Sequence, residues 1–256
     1  MRRSLGLIGG MVILGLSACV SREERPRAND PFGELSAAEI YTRKGVRYLE
    51  NGALDIALRD LTHAIRLDPR NSEAHGALAV LYERLGHAGK AEAHYREALS
   101  TDPDNYSAHN NFGRFLCDQG RAEEAMAEFR LVIDEPIYAL PWLPLTNAGR
   151  CLERMGRSSA AEEYLRKALD RYPEYPPALL EMARVSLARR QYLSARGFLQ
   201  RYHAVAAKTA DSLWLNAQTE LALGDIGAAQ EAVRELRREF PDSAEAQEAR
   251  RLFQES

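Results

Sequence analysis

SEAHGALAVLYERLGHAGKAEAHYREALSTDPDN, residues 72–105, carries the pattern that decides the fold. Apolar residues recur at helical spacing on both sides of Gly86, so the stretch reads as two helices joined there. Glycine ends the first helix by taking the left-handed conformation without a Cβ clash. Pro103 stops the second, because it lacks an N–H and constrains the residue before it. Ala79 and Ala91 are small where the two helices face each other, so their axes approach closely, and Tyr95 fills the space alongside.

The same marks return along the chain. Ala57, Ala91, Ala125, Ala161, Ala195 and Ala229 stand 34, 34, 36, 34 and 34 residues apart. Gly52, Gly86, Gly120, Gly156 and Gly224 keep this beat, as do Pro69, Pro103, Pro173 and Pro241. A fixed period of this length means stacked like units. Such an array offers a long surface for holding another molecule, whereas catalysis needs unlike groups converging on one point. The small–large pattern resembles the tetratricopeptide repeat (TPR). That resemblance implies an all-α solenoid, a right-handed superhelix of about six helix–turn–helix repeats at 38–71, 72–105, 106–141, 142–175, 176–209 and 210–243. Residues 244–256 then form a capping helix started by Ser243, and 36–256 make one superhelical domain.

Three places depart from the pattern. Arg190 stands where glycine is expected, in a unit with no closing proline. Glu220 occupies a position usually large and apolar; end units of solenoids are often atypical. Between the third and fourth units the spacing grows by two, within EPIYALPWLP, residues 135–144. Three prolines in ten residues predict an extended loop, with Tyr138 and Trp142 free to pack and the solenoid bending or dividing into two three-repeat halves.

The chain opens with a basic start, an apolar run from Leu5 to Leu16, then Leu16-Ser17-Ala18-Cys19, which describes a secretory signal. The run is shorter than the ~20 residues a membrane span needs. LSAC resembles the bacterial lipobox, implying that residues 1–18 are removed and Cys19 carries lipid; an ordinary signal peptide with a chance cysteine is the plainer alternative. Multiple acyl chains anchor firmly at ~0.8 kcal/mol per methylene. Val20, not aspartate, follows the cysteine, and by resemblance to Gram-negative lipoproteins this implies the periplasmic face of the outer membrane. Residues 19–35 read as a lipidated flexible tether, spanning roughly 20–24 Å. Loss of Arg2 and Arg3 takes the net charge from −3 to 32 minus 37, or −5, so no basic field favours nucleic acid.

Cys117 and Cys151 lie on the first helices of successive units, where a bridge is geometrically possible. An oxidising compartment favours a disulfide over two buried thiols, though both fit the pattern. Of the six histidines, His75 and His109 share one repeat position and read as structural. None of the six has metal-ligand spacing, and no GxSxG, phosphate loop or HExxH is present. The sequence therefore predicts a non-enzymatic scaffold without cofactor, metal or small-molecule substrate. On the groove face the candidate partner-binding residues are Asn110, Arg114, Arg150, Arg184 and Trp214, within a wider set that includes Glu73, Val46, Val80 and Glu83.

NNFGRFLCDQGRAEEAMAEFR (110–130), EPIY (135–138) and NAGRCLERMG (147–156) narrow the family. With the lipobox and the six repeats, they resemble the PilF/PilW type IV pilus biogenesis and stability proteins, from which Arg114 is a departure. The resemblance implies a pilotin: an outer-membrane lipoprotein that helps the pilus secretin localise, assemble and stay stable, with secretin subunits and other pilus assembly proteins as partners and twitching motility as the outcome. The alternative is a periplasmic TPR lipoprotein serving β-barrel assembly or cell-wall enzymes. A hydrolase with appended repeats has little room, since repeats and cap occupy 36–255.

Overall fold

The computed structural model describes residues 35–254, which form thirteen α-helices and no strand. The signal sequence, Cys19 and most of the tether lie outside the described residues. The helices pair in order: α1 (Ala37–Glu50) with α2 (Leu54–Leu67), α3 (Ser72–Arg84) with α4 (Ala88–Thr101), and α5 (Tyr106–Asp118) with α6 (Ala122–Ile133). Next come α7 (Trp142–Arg154) with α8 (Ser158–Arg171), α9 (Pro176–Ala188) with α10 (Tyr192–Val205), and α11 (Ala210–Ala222) with α12 (Ile226–Glu239); α13 (Ala244–Gln254) follows alone. The fold is an all-α solenoid, as the periodicity predicted.

Each pair is built by the same local chemistry. Gly86 has φ 75°, and its turn closes with Gly86 N–H donating to Glu83 and His87 N–H to Tyr82, at 2.9 and 2.8 Å. Where glycine is missing, Arg190 adopts φ 60° and the same two bonds form, from Arg190 to Leu187 and Gln191 to Ser186. The close approach inside a pair is equally concrete: a Cβ added to Gly113 would lie 2.7 Å from the Phe129 ring, and one on Gly149 2.6 Å from Leu165 Cγ. Asn71 and Asn105 cap α3 and α5 by accepting from Ala74 and Ala108 N–H. Asn105 also donates to Ser72 Oγ, which donates to the Ala98 carbonyl, stitching the second repeat to the third.

The connection after the third pair differs from expectation in two respects. The helix begins at Trp142, so Pro144 sits inside the first turn of α7, where its missing N–H has no intrahelical partner to lose. The core is also not divided there. One buried cluster runs from Ala79 to Tyr202 and includes Phe129, Leu145, Cys151 and Leu152 on either side of the insertion. The two extra residues are absorbed by turns outside the helix stack, where Tyr138 packs edge-on to Tyr106 and Tyr106 O–H donates to Glu135 at 2.9 Å.

At the far end Ser243 Oγ accepts from Ala246 N–H, and α13 buries Ala246 and Ala249 in a cluster with Leu213, Trp214, Ala217 and Leu236. Glu220 is buried among these last units, and its carboxylate is held by the Arg196 guanidinium through both oxygens. The charged residue is tolerated at an apolar position because its partner enters with it.

Candidate partner-binding surface

The first helices α1, α3, α5, α7, α9 and α11 carry two concave surfaces of different chemistry. The first, a groove of about 670 Å³, spans the first three repeats. Val46 and Leu49 of α1, Ala77 and Val80 of α3, and Ala108 of α5 contribute its apolar lining. Gly76 deepens it, since a Cβ there would meet only Ala108 at 3.9 Å. Tyr106 and Tyr138 make the far wall, and burial pushes the Tyr138 phenol up from its ordinary range. Glu50, Glu73, Asp102 and Asp104 are exposed on the rim against one cation, Arg84. Arg84 is itself held by donating to the Leu49 carbonyl at 2.6 Å.

The second surface belongs to repeats four to six and is a lattice of charge. Its cavity of about 520 Å³ is lined by Arg150, Glu153, Arg154, Leu180, Glu181, Arg184 and Asp211. Arg150 Nε donates to Glu181 Oε1 at 2.7 Å, and Arg184 donates to both Asp211 oxygens at 2.8 and 2.6 Å. Burial alone would lower the Arg184 pKa, but the hydrogen bond and charge of Asp211 override it and hold the group above its usual value. A related chain of ion pairs runs from α3 through α5 to Arg154 of the second surface. Arg114 grips both oxygens of Glu83 at 3.0 Å, reaches Asp118 at 3.5 Å, and Asp118 also holds Arg154. Tyr95 O–H donates to Glu83 from below; burial, then the Glu83 charge, raises its pKa strongly.

The sequence-predicted residues therefore divide. Arg150 and Arg184 are brought together around Glu181, whereas Arg114 lines neither cavity and is held by Glu83 and Asp118. Asn110 is only 7% exposed, and its amide oxygen accepts from Asn147 Nδ2 at 2.9 Å. Trp214, also 7% exposed, belongs to the terminal core. Both side chains face neighbouring helices, not the open surface. Val46, Glu73 and Val80 do line the first groove. Its tyrosine wall was missed, because Tyr138 reaches it from a loop 32 residues beyond Tyr106.

The Cys117 and Cys151 sulfurs lie within disulfide distance across α5 and α7, with their Cα atoms 5.8 Å apart. His75 and His109 each place Nε2 on the carbonyl of the preceding repeat's proline, Pro69 at 3.1 Å and Pro103 at 3.0 Å. Their Nδ1 atoms differ in partner: His94 Nδ1 at 3.0 Å for His75, and Glu128 at 2.6 Å for His109. Among the described residues no group of three or more His, Cys, Asp or Glu is placed to hold a metal ion. No helix there is long and apolar enough to cross a membrane.

These features define a TPR solenoid, and family models described as tetratricopeptide repeat match residues 42–105 and 215–250, and 85–135 and 152–221. The "Type IV pilus assembly protein PilF" of Pseudomonas aeruginosa is 30% identical over 238 residues, covering 93% of this chain and 94% of that protein. A crystal structure of "PilW, widely conserved type IV pilus biogenesis factor" superposes with a TM-score of 0.77 at 32% identity, covering 84% of this chain and 98% of that one. The structure of Pseudomonas aeruginosa PilF gives 0.73 at 31% identity, covering 83% and 96%. The chain belongs to the PilF/PilW family of type IV pilus TPR proteins. That scaffold is a non-catalytic protein-interaction fold.

Proposed function

We propose that this protein is a pilotin: a lipoprotein, anchored through Cys19 at the periplasmic face of the outer membrane, that captures subunits of the type IV pilus secretin and promotes their assembly there. The observation that carries the reading is the groove of repeats one to three, which unites an apolar floor, a tyrosine wall and an acidic rim in a chain of this family. About 670 Å³ is room for several side chains of a bound segment. The rim selects an apolar segment with positively charged neighbours. Holding the scaffold at the membrane raises the local concentration of bound subunits where they must assemble. Residues 1–18 act as the signal and 19–35 as the tether, and Cys117 and Cys151 form a disulfide that joins α5 to α7 in the oxidising periplasm.

Gly76→Leu tests the reading, because it fills the groove floor from a helical position with open space ahead of it. In cells it is expected to reduce membrane secretin multimers and twitching while the variant protein accumulates normally. Normal multimer levels and motility would contradict the reading. Co-purification in place of secretin of barrel-assembly proteins or peptidoglycan hydrolases would reassign the partner.

A further inference from the structure

α5 turns two neighbouring asparagines to different surroundings. Asn110 is closed in and bonded to Asn147, whereas Asn111, about 100° further around the helix, lines the groove of repeats one to three. The Asn111 carboxamide has no hydrogen-bond partner among the described residues, and its polar atoms remain open to solvent. It shares a helix face with Ala108, one turn earlier, where the groove floor meets Gly76. An unbonded amide beside an apolar floor restricts what can cover that floor.

A helix laid there would present an apolar face, because its backbone N–H and C=O groups are already paired with one another. The Asn111 amide would then lose water and gain no partner, which opposes binding. An extended segment keeps its backbone groups free, and the N–H and C=O of one residue point to the same side. A carboxamide matches that pair, acceptor to donor and donor to acceptor. The side chains of such a segment alternate, so one set enters the hollow among Val46, Val80 and Gly76 while the other meets the rim. Glu50, Glu73, Asp102 and Asp104 on that rim have no ion-pair partner among the described residues, which suits basic side chains in the outward set.

On the reading that this groove captures the partner, we propose that it accepts an extended segment, one residue of which is held through its backbone by Asn111. Asn111 Oδ1 accepts that residue's N–H, and Asn111 Nδ2 donates to its C=O. Asn111 thus selects the conformation of the bound segment, while Gly76 gives the groove its depth.

The test uses the full-length protein in detergent and the pentapeptide Lys-Leu-Lys-Leu-Lys, blocked at both ends. A second set carries a methyl group on one backbone nitrogen at a time. A third probe is a side-chain-bridged helix of the same two amino acids, with its leucines on one face. The parent peptide is expected to shift the Asn111 Nδ2 resonances in a saturable titration that Gly76→Leu abolishes. Methylation at one position is expected to weaken binding about five- to tenfold, the loss of one hydrogen bond, and Asn111→Ala to weaken it by a similar factor. In Asn111→Ala the same methyl is expected to cost no more than about twofold, because both changes remove the same bond. The helix is expected to bind more weakly than the parent. Tolerance of a methyl at every position, unaltered affinity in folded Asn111→Ala, tighter binding of the helix, or no shift up to tens of millimolar would each overturn the role of Asn111. Loss of parent binding in Gly76→Leu would in the first three cases leave the groove standing, whereas binding untouched by Gly76→Leu would overturn groove and role together. Should Asn111→Ala misfold, the parent and methylated peptides on the unaltered protein still decide.

Discussion

Arg190 holds a φ of 60° in a turn where the other repeats that share its geometry use glycine. A side chain in that conformation costs about 1 kcal/mol relative to glycine. Arg190→Gly is therefore expected to raise stability by roughly 0.5–1 kcal/mol in denaturant unfolding, and a loss of stability would show that the arginine makes a compensating contact. The opposite holds at Gly113, whose added Cβ would strike the Phe129 ring. Gly113→Ala is expected to destabilise by about 1–3 kcal/mol through overpacking. The histidine pairs bring pH into the same scale. His75 donates from Nε2 to the Pro69 carbonyl, which leaves its Nδ1 as the acceptor facing His94 Nδ1. Burial, then the neighbouring His75, hold the His94 pKa below its ordinary value. Its contribution to stability is present above about pH 6.5 and lost as pH falls below it. His109 runs the other way: burial lowers its pKa, but Glu128 and the Pro103 carbonyl outweigh that and raise it. Its contribution is full below about pH 6.5 and fades as pH rises through the raised value. Glu128→Gln is thus expected to cost about 1 kcal/mol more near pH 5.5 than near pH 8, and a pH-independent cost would remove the ion pair from the explanation.

Helix pairs were legible in the sequence because their marks are backbone necessities. A left-handed turn, a close helix crossing and a proline stop each restrict a position to one or two residue types, and restriction repeated every 34 residues is visible without coordinates. Side-chain destinations were not legible in this way. Asn110 and Trp214 sit on helix faces that look toward the groove by repeat position, yet one is held by Asn147 in the next repeat and the other is buried in the terminal core with α13. Tyr138 is the converse case: the connecting turns carry it into the groove wall through packing on Tyr106, a contact with no period behind it. The same connection places Ile137 86% exposed just before Tyr138. Across it, the Cys117–Cys151 pair closes a loop of 34 residues. A disulfide there is expected to contribute about 3–4 kcal/mol by restricting the unfolded chain. Cys117→Ser with Cys151→Ser should lower unfolding free energy by that order in oxidised protein and leave reduced protein unchanged. Equal stability of both forms, or two free thiols in non-reducing peptide mapping, would dismiss the bridge.

At the level of the whole molecule, the described repeats carry two concave surfaces of different chemistry. Repeats one to three offer apolar depth behind an acidic rim, and repeats four to six a lattice of paired charges. Gly76→Leu should weaken capture through the groove of repeats one to three while leaving the charged lattice of repeats four to six intact. Site-specific photocrosslinking in living cells tests the central claim most directly. A crosslinker at Val80, inside the groove, should give a secretin adduct that disappears with Gly76→Leu, and one at Glu163, exposed on α8, should give none. No secretin adduct from Val80, or an equal yield from Glu163, would contradict it.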